Sequence, residues 1–392
     1  MGFLKGLRSR FGRGRKTVED EADAEEHLPR ISLDDSLGSP DPEVRIHAIH
    51  AISEIGAAAV PLLIDALRDE SWRVRRAAAS GLGKIGEPAI QPMIKAFEGA
   101  RTDVRRELIR ALGIAGDRAF PSLAAALDDP DSGIRSGAVS AIALTKAGNR
   151  GDALQKALHD PDPGVRAAAA AAFGYLPGEQ AMPVLKNLLS DPVEEVRTAA
   201  VSAAIRIGKP AVPPLLAQLP ETDPAFRESV EQALIGIGTA GRSDVVTLLR
   251  HQDPAIRESG VRILGGIGDL NTVSHLIGAL ADPDPEVRNC TIAALTGFGK
   301  AALPEVTAAF ENDNPRIREG AMEILAGMGD PAVPTMITYL SHDDPVMKKR
   351  AAVVLGEIGN YEAHEPLTDL IHDSDPGVRR VAFEALEQIK RR

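Results

Sequence analysis

The chain has 392 residues, 44% of them hydrophobic but only 3% aromatic, and a formal net charge of −11. A single cysteine, Cys290, excludes an internal disulfide framework and favours a reducing compartment. The acidic balance opposes broad contact with phosphate backbones, the scarcity of aromatics removes most stacking platforms for single strands, and no run approaches the roughly 18 apolar residues of a membrane span.

The first sixteen residues carry Lys5, Arg8, Arg10, Arg13, Arg15 and Lys16 without an acid, so the rest of the chain is more acidic than the total suggests. Phe3, Leu4, Leu7 and Phe11 would share one face of a helix, the pattern of a basic surface-seeking segment, but Gly2, Gly6, Gly12 and Gly14 weaken helix in water. Residues 1–38 are therefore expected to form a flexible tail, basic at its tip and acidic from Glu19 to Glu26, with anionic lipid, nucleic acid or an acidic partner as its alternative contacts. Gly6 stands where a myristoylation motif wants Ser or Thr, and the N-terminus lacks the apolar core of a secretory signal, so a cytoplasmic protein is expected, peripheral membrane contact through the tail being the alternative.

From 39 to 392 one pattern recurs, seen most fully in Asp282 to Gly299: an acidic Pro-containing turn, Val-Arg, an apolar stripe and a closing Gly. The basic marker falls at Arg45, Arg75, Arg105, Arg135, Arg166, Arg197, Arg227, Arg257, Arg288, Arg318, Lys348 and Arg379, at intervals of 30 or 31 residues. Such a period defines stacked units, none of which can bury its apolar face alone. Each unit reads as a first helix with Pro in its opening turn, such as Val60 to Leu67, and a second helix begun by an Asp cap. The second helix carries apolar residues at offsets 0, 4, 5, 8 and 11, as in Val74, Ala78, Ala79, Leu82 and Ile85. Counting predicts an all-α stack of about twelve layers, eleven complete pairs following an opening second-type helix near 44–55. Two layers lack the apolar-Gly ending, so bending or flexing is expected near 145–151 and 175–179.

These twelve in-register copies resemble the HEAT repeats, specifically the short variety of the phycobilisome (PBS) lyases. The resemblance implies a right-handed α–α superhelix with the second helices on its concave side. It leaves function open, since that family holds chromophore lyases, deoxyhypusine hydroxylase, alkylpurine DNA glycosylases and interaction scaffolds.

No residue set converges on catalysis or on a cofactor. The Asp-Pro-Asp-Pro turns at 160–163 and 282–285 are occupied as helix caps and lack the converging oxygens of a calcium loop. His47 and His50 have no third ligand in view, the one His-Glu dyad is His364–Glu365, and Cys290 has no nearby His. The marker column reads as a structural ladder of guanidinium groups bridging acidic turns.

What remains is the face formed by offsets 2, 3 and 6. Early layers present Arg76, Arg106 and Arg110; the middle presents Ser136, Gly137, Ser140, Ala167, Ala168, Ala171, Thr198, Ala199 and Ser202; later layers present Glu228, Glu258, Glu319 and Glu323, and the end Lys349, Arg350 and Arg380. A small-residue floor flanked by charge suits a peptide or helix of another protein. The expected function is thus a non-enzymatic scaffold binding a protein in its concave groove, with no metal and no cofactor. The alternatives are a lyase-type subunit acting with a second subunit, and a membrane- or nucleic-acid-associated adaptor working through the tail.

Overall fold

The computed structural model describes residues 33–97, 99–220 and 223–391. The readings of the basic tip and of the acidic run to Glu26 lie outside the described residues. The expected boundary after residue 38 follows a five-residue helix, Leu33–Leu37, which packs on the second-type helix Pro42–Ser53 and supplies it with a first-helix partner.

The alternation of short and long helices runs from there to Pro376–Arg391, with no strand among the described residues. First helices such as Val60–Ala66, Val273–Ala279 and Val333–Tyr339 span two turns, and second helices such as Trp72–Ile85, Pro254–Ile267 and Pro315–Met328 span four. The turn chemistry explains where each second helix starts. Asp41, Asp131, Asp162, Asp223, Asp253, Asp284 and Asp344 each accept a hydrogen bond from a free first-turn amide. Most of these helices stop at a glycine of positive φ, for example Gly86 at 75°, Gly238 at 71° and Gly359 at 75°, a conformation that disfavours any Cβ.

The core is a continuous column of Ala, Val, Leu and Ile, with Phe97, Phe173 and Phe310 as its largest buried side chains. Second helices of adjacent layers touch along much of their length and first helices only sparsely. A stack whose two sides are spaced unequally curves toward the tighter side, so the second helices form the inner face.

The two irregular layer ends are tied by side chains. The helix Ser132–Leu144 ends at buried Thr145, whose hydroxyl donates to the Ile142 carbonyl at 2.8 Å, while the Lys146 amide donates to Asp117 at 2.6 Å. Arg150 donates to the carbonyls of Thr145 and Tyr175, and Arg206 lies 4.3 Å over the Tyr175 ring while donating to the Ala171 carbonyl. The same joint opens on its outer side, where Lys156, His159, Val184 and Asn187 line a gap of about 1050 Å³ between the helices Arg150–Ala157 and Gly178–Leu188.

Candidate interaction surface

The marker arginines lie at the junctions between layers. Each sits six residues after the first residue of its turn, and in nine of them, from Arg45 to Arg379, Nη1 donates to two carbonyls of that turn, as in Arg257, whose Nη1 reaches His251 and Gln252 at 2.9 Å each. Its Nε and Nη2 face the next layer. There Arg45 forks onto Asp69, Arg135 onto Asp160, Arg166 onto Asp191 and Arg257 onto Asp282 at 2.7–3.0 Å, and Lys348 makes a single 2.7 Å bond to Asp373. The receiving aspartate also accepts the amide two residues on, so that Asp282 holds Asp284 in place to cap the following helix.

The fork depends on what occupies the first turn position of the next layer. Opposite Arg75, Arg288 and Arg318 stand Gly99, Asn312 and His342; Arg75 turns to Asp103 at 3.6 Å instead. Arg105 faces Asp129 without forming a fork, and its Nε is buried without a partner. The Arg135 bond holds the Asp160 carboxyl below its ordinary range. Burial alone would raise Asp191 and Asp282, but the forks from Arg166 and Arg257 and the bonds to backbone amides outweigh it and lower both.

With these groups committed to the stack, the inner face can be sorted. Much of offset 3 belongs to packing rather than to the groove: Glu107, Gly137, Ser229, Ser259 and Gly320 are buried there, and Ala168 and Ala199 are half-buried. A Cβ on Gly137 would lie 2.5 Å from the Phe97 ring, and one on Gly320 2.9 Å from Leu280. Gly137 and Gly320 are glycines because a core side chain of the preceding layer rests on them. Offsets 2 and 6 are the more open ones, although Ala167 at offset 2, read as groove floor, is buried in the core.

The expected charged residues fall into distinct environments. Arg76 and Arg106 are exposed, and neither has an ion pair among the described residues. Arg110 bonds to the buried Glu107 at 3.1 Å. Glu319 and Glu323 are exposed, and Glu228 accepts from Gln232 at 3.2 Å. Glu258 is engaged by Arg262, which also forks onto Glu231 of the preceding layer at 2.9 Å through two bonds. Lys349 lies 3.7 Å from Asp375, and Arg350 is half-buried against the Met347 sulfur, where burial and then Arg318 lower its pKa. Arg380 pairs loosely with Glu384.

A row that the offset reading missed runs along the C-terminal ends of the second helices. Ile114, Leu144, Tyr175 and Ile205 stand at offsets 9 or 10, and each is more than one third exposed. Their anchoring explains the row: Ile114 rests on Gly83, Leu144 on Gly113 and Ile205 on Gly236, each within 2.6 Å of where a Cβ would be. The sequence signal was a large apolar residue at the C-terminal end of the second helix, near the helical phase of offsets 2 and 6.

Among the described residues no group of three or more His, Cys, Asp or Glu could hold a metal ion. His47 Nδ1 donates to the Glu43 carbonyl of its own helix at 2.8 Å. Burial pushes the Cys290 thiol up to about 11, with Arg262 only partly opposing, so it stays protonated near neutrality.

Layered helix pairs with a side-chain row left open on their inner face define an α-solenoid repeat protein. The profile of the family "HEAT repeats" matches residues 33–113, 151–235, 242–322 and 303–387, and that of the "PBS lyase HEAT-like repeat" matches 104–129. The chain belongs to the HEAT-repeat family. Comparison with curated protein sequences returns no match. Among solved structures the chain is similar to Kap121p (16% identity over 95% of this chain and 46% of that one, TM-score 0.40). It is also similar to importin beta (15%, 91% and 56%, 0.37) and to a Kap95:Nup1 complex (13%, 88% and 60%, 0.39). The chain thus spans about half the length of the solved structures it matches. No helix among the described residues is long and apolar enough to cross a membrane.

Proposed function

We propose that this HEAT-repeat solenoid is a scaffold that binds another protein along its inner face. The observation that carries the reading is the exposed apolar row Ile114, Leu144, Tyr175 and Ile205, set beside an open strip whose charge changes from Arg76 and Arg106 to Glu228, Glu319 and Glu323. Apolar side chains in register supply contact area, and flanking charges of opposite sign fix the direction of an elongated partner. Most ladder and core side chains are occupied within the stack, whereas the row is held in place from below and keeps more than a third of each member exposed, even where Arg206 lies over the Tyr175 ring.

The test is quantitative affinity purification from the native host with two variants of preserved helicity, Ile114→Ser/Ile205→Ser and Glu228→Lys/Glu319→Lys/Glu323→Lys. A partner retained by the wild type should be depleted at least tenfold by both. An unchanged set of co-purifying proteins would sink the proposal. Glu258 is left out because its reversal would also break the Arg262 pair that joins two layers.

A lyase-type reading draws on the short match over 104–129. It calls for chromophore attachment by the chain with a second subunit, which a loading assay with phycobilin tests directly. Lipid or nucleic-acid contact through residues 1–16 would show as binding that falls steeply with salt and vanishes on their deletion.

A further inference from the structure

The first three layers differ from the rest of the inner face. Ile46, Trp72, Arg76, Arg110 and Ile114 line a cleft of about 420 Å³ there, with His50 at its edge. Trp72 is the only tryptophan of the chain, and it is 57% exposed. Of the nearby cations, Arg73 is paired with Glu43 and Arg110 with Glu107, but Arg76 and, one layer on at the equivalent offset, Arg106 have no ion pair among the described residues. Among the described residues two guanidinium groups without an ion pair, Arg76 in the cleft with the exposed indole and isoleucine and Arg106 at the same offset of the next second helix, thus stand on a protein whose overall charge is −11.

We propose that this cleft holds a carboxylate-rich peptide segment of the partner protein, which binds in the polyproline II conformation with acids three residues apart. The spacing carries the argument. Arg76 and Arg106 hold the same offset on the adjacent second helices Trp72–Ile85 and Thr102–Ala115, and packed helices lie about 8–10 Å apart. A polyproline II segment returns every third side chain to one side after about 9.3 Å, so a Glu-x-x-Glu pair meets both arginines in register. The residues between them point toward Trp72 and Ile114, where an apolar side chain is received; an indole beside a preformed, low-entropy extended segment is a recurring recognition mode. A nucleic-acid backbone fits less well, because it would continue past the two cations onto the acidic later layers. This inference rests on the inner-face scaffold reading and assigns its basic end.

The probe is a fluorescein-labelled peptide, Gly-Pro-Glu-Pro-Leu-Glu-Pro-Gly, followed by anisotropy against the full chain, with Trp72 emission as the report on location. Saturable binding is expected, accompanied by a change in Trp72 emission and weakened at least fivefold on raising salt from 50 to 300 mM. Replacing both Glu by Gln, or introducing Arg76→Glu with Arg106→Glu, should weaken it at least tenfold, whereas Arg316→Glu, far along the stack, should leave it unchanged. Circular dichroism guards against misfolding, and Arg76→Lys/Arg106→Lys should retain part of the affinity. Absence of saturable binding at millimolar peptide, equal binding of the Gln peptide, or tighter binding of a single-stranded oligonucleotide that depends on the same arginines would each overturn the assignment. If the peptide is silent while the triple glutamate reversal still depletes the host partner, the scaffold reading survives and this one falls.

Discussion

At the residue scale the aspartate at the first turn position does two jobs with one carboxylate. In Asp282 one oxygen accepts the Asp284 amide, and both receive the Arg257 fork at 2.7 and 2.8 Å. Removing it leaves a largely buried guanidinium unpaired and loosens a helix cap, a change that costs about 3 kcal/mol in comparable buried pairs. Asp282→Ala should lower the urea midpoint accordingly, and Asp282→Asn less, because the amide oxygen still receives the Asp284 N–H. The pH dependence follows from the same pairing. The folded carboxyl groups of Asp160, Asp191 and Asp282 are lowered, so their stabilisation is fully present above the unfolded value, about 3.9. It is lost as pH falls through the folded values. Acid titration of stability should therefore fall away below about pH 4, with a shallower slope in Asp282→Asn; an unaltered slope would show that these pairs do not govern acid unfolding.

At the element scale, layer spacing is set by glycines inside the second helices rather than by those that close them. A Cβ on Gly83 would sit 2.5 Å from the Ile114 Cβ and 2.9 Å from the Ala111 carbonyl, both rigid, so Gly83→Ala has to push two helices apart. Helix propensity would reward the substitution by about 1 kcal/mol, and overpacking opposes it by roughly 1–3 kcal/mol. The expected net result is destabilisation of about 1 kcal/mol, measurable as a lower melting temperature, with the cleft beside Ile114 distorted as well. A more stable Gly83→Ala would mean that the row is more pliant than this packing implies.

At the scale of the whole molecule, stability is a chain of nearest-neighbour terms rather than one core. Junctions with a fork onto Asp69, Asp160, Asp191 or Asp282 hold more tightly than those where Gly99, Asn312 or His342 replaces the aspartate. Hydrogen exchange should accordingly be graded, faster at the turns carrying Gly99, Asn312 and His342 and slower at those carrying Asp160, Asp191 and Asp282. Uniform protection along the stack would contradict a nearest-neighbour account. In the proposed groove, unequal joints would let curvature adapt at the weak ones while the clamped layers keep their side chains in register.

By itself the sequence determined the repeat, its period, the alternation of short and long helices, the Asp caps and the Gly stops, because each of these is local: a turn residue meets an amide two or three positions away, and an apolar stripe has the period of its own helix. Only the tertiary structure decided which exposed positions are free. Gly137 read as groove floor and proved to be the seat of Phe97 from the preceding layer; Glu258 read as an open acid and proved to share Arg262 with Glu231. The apolar row from Ile114 to Ile205 went unread because each member looks like one more core residue until the next layer is seen to leave it uncovered. Those outcomes depend on contacts some 30 residues apart, where the neighbouring layer decides whether a side chain is covered, paired or left for a partner.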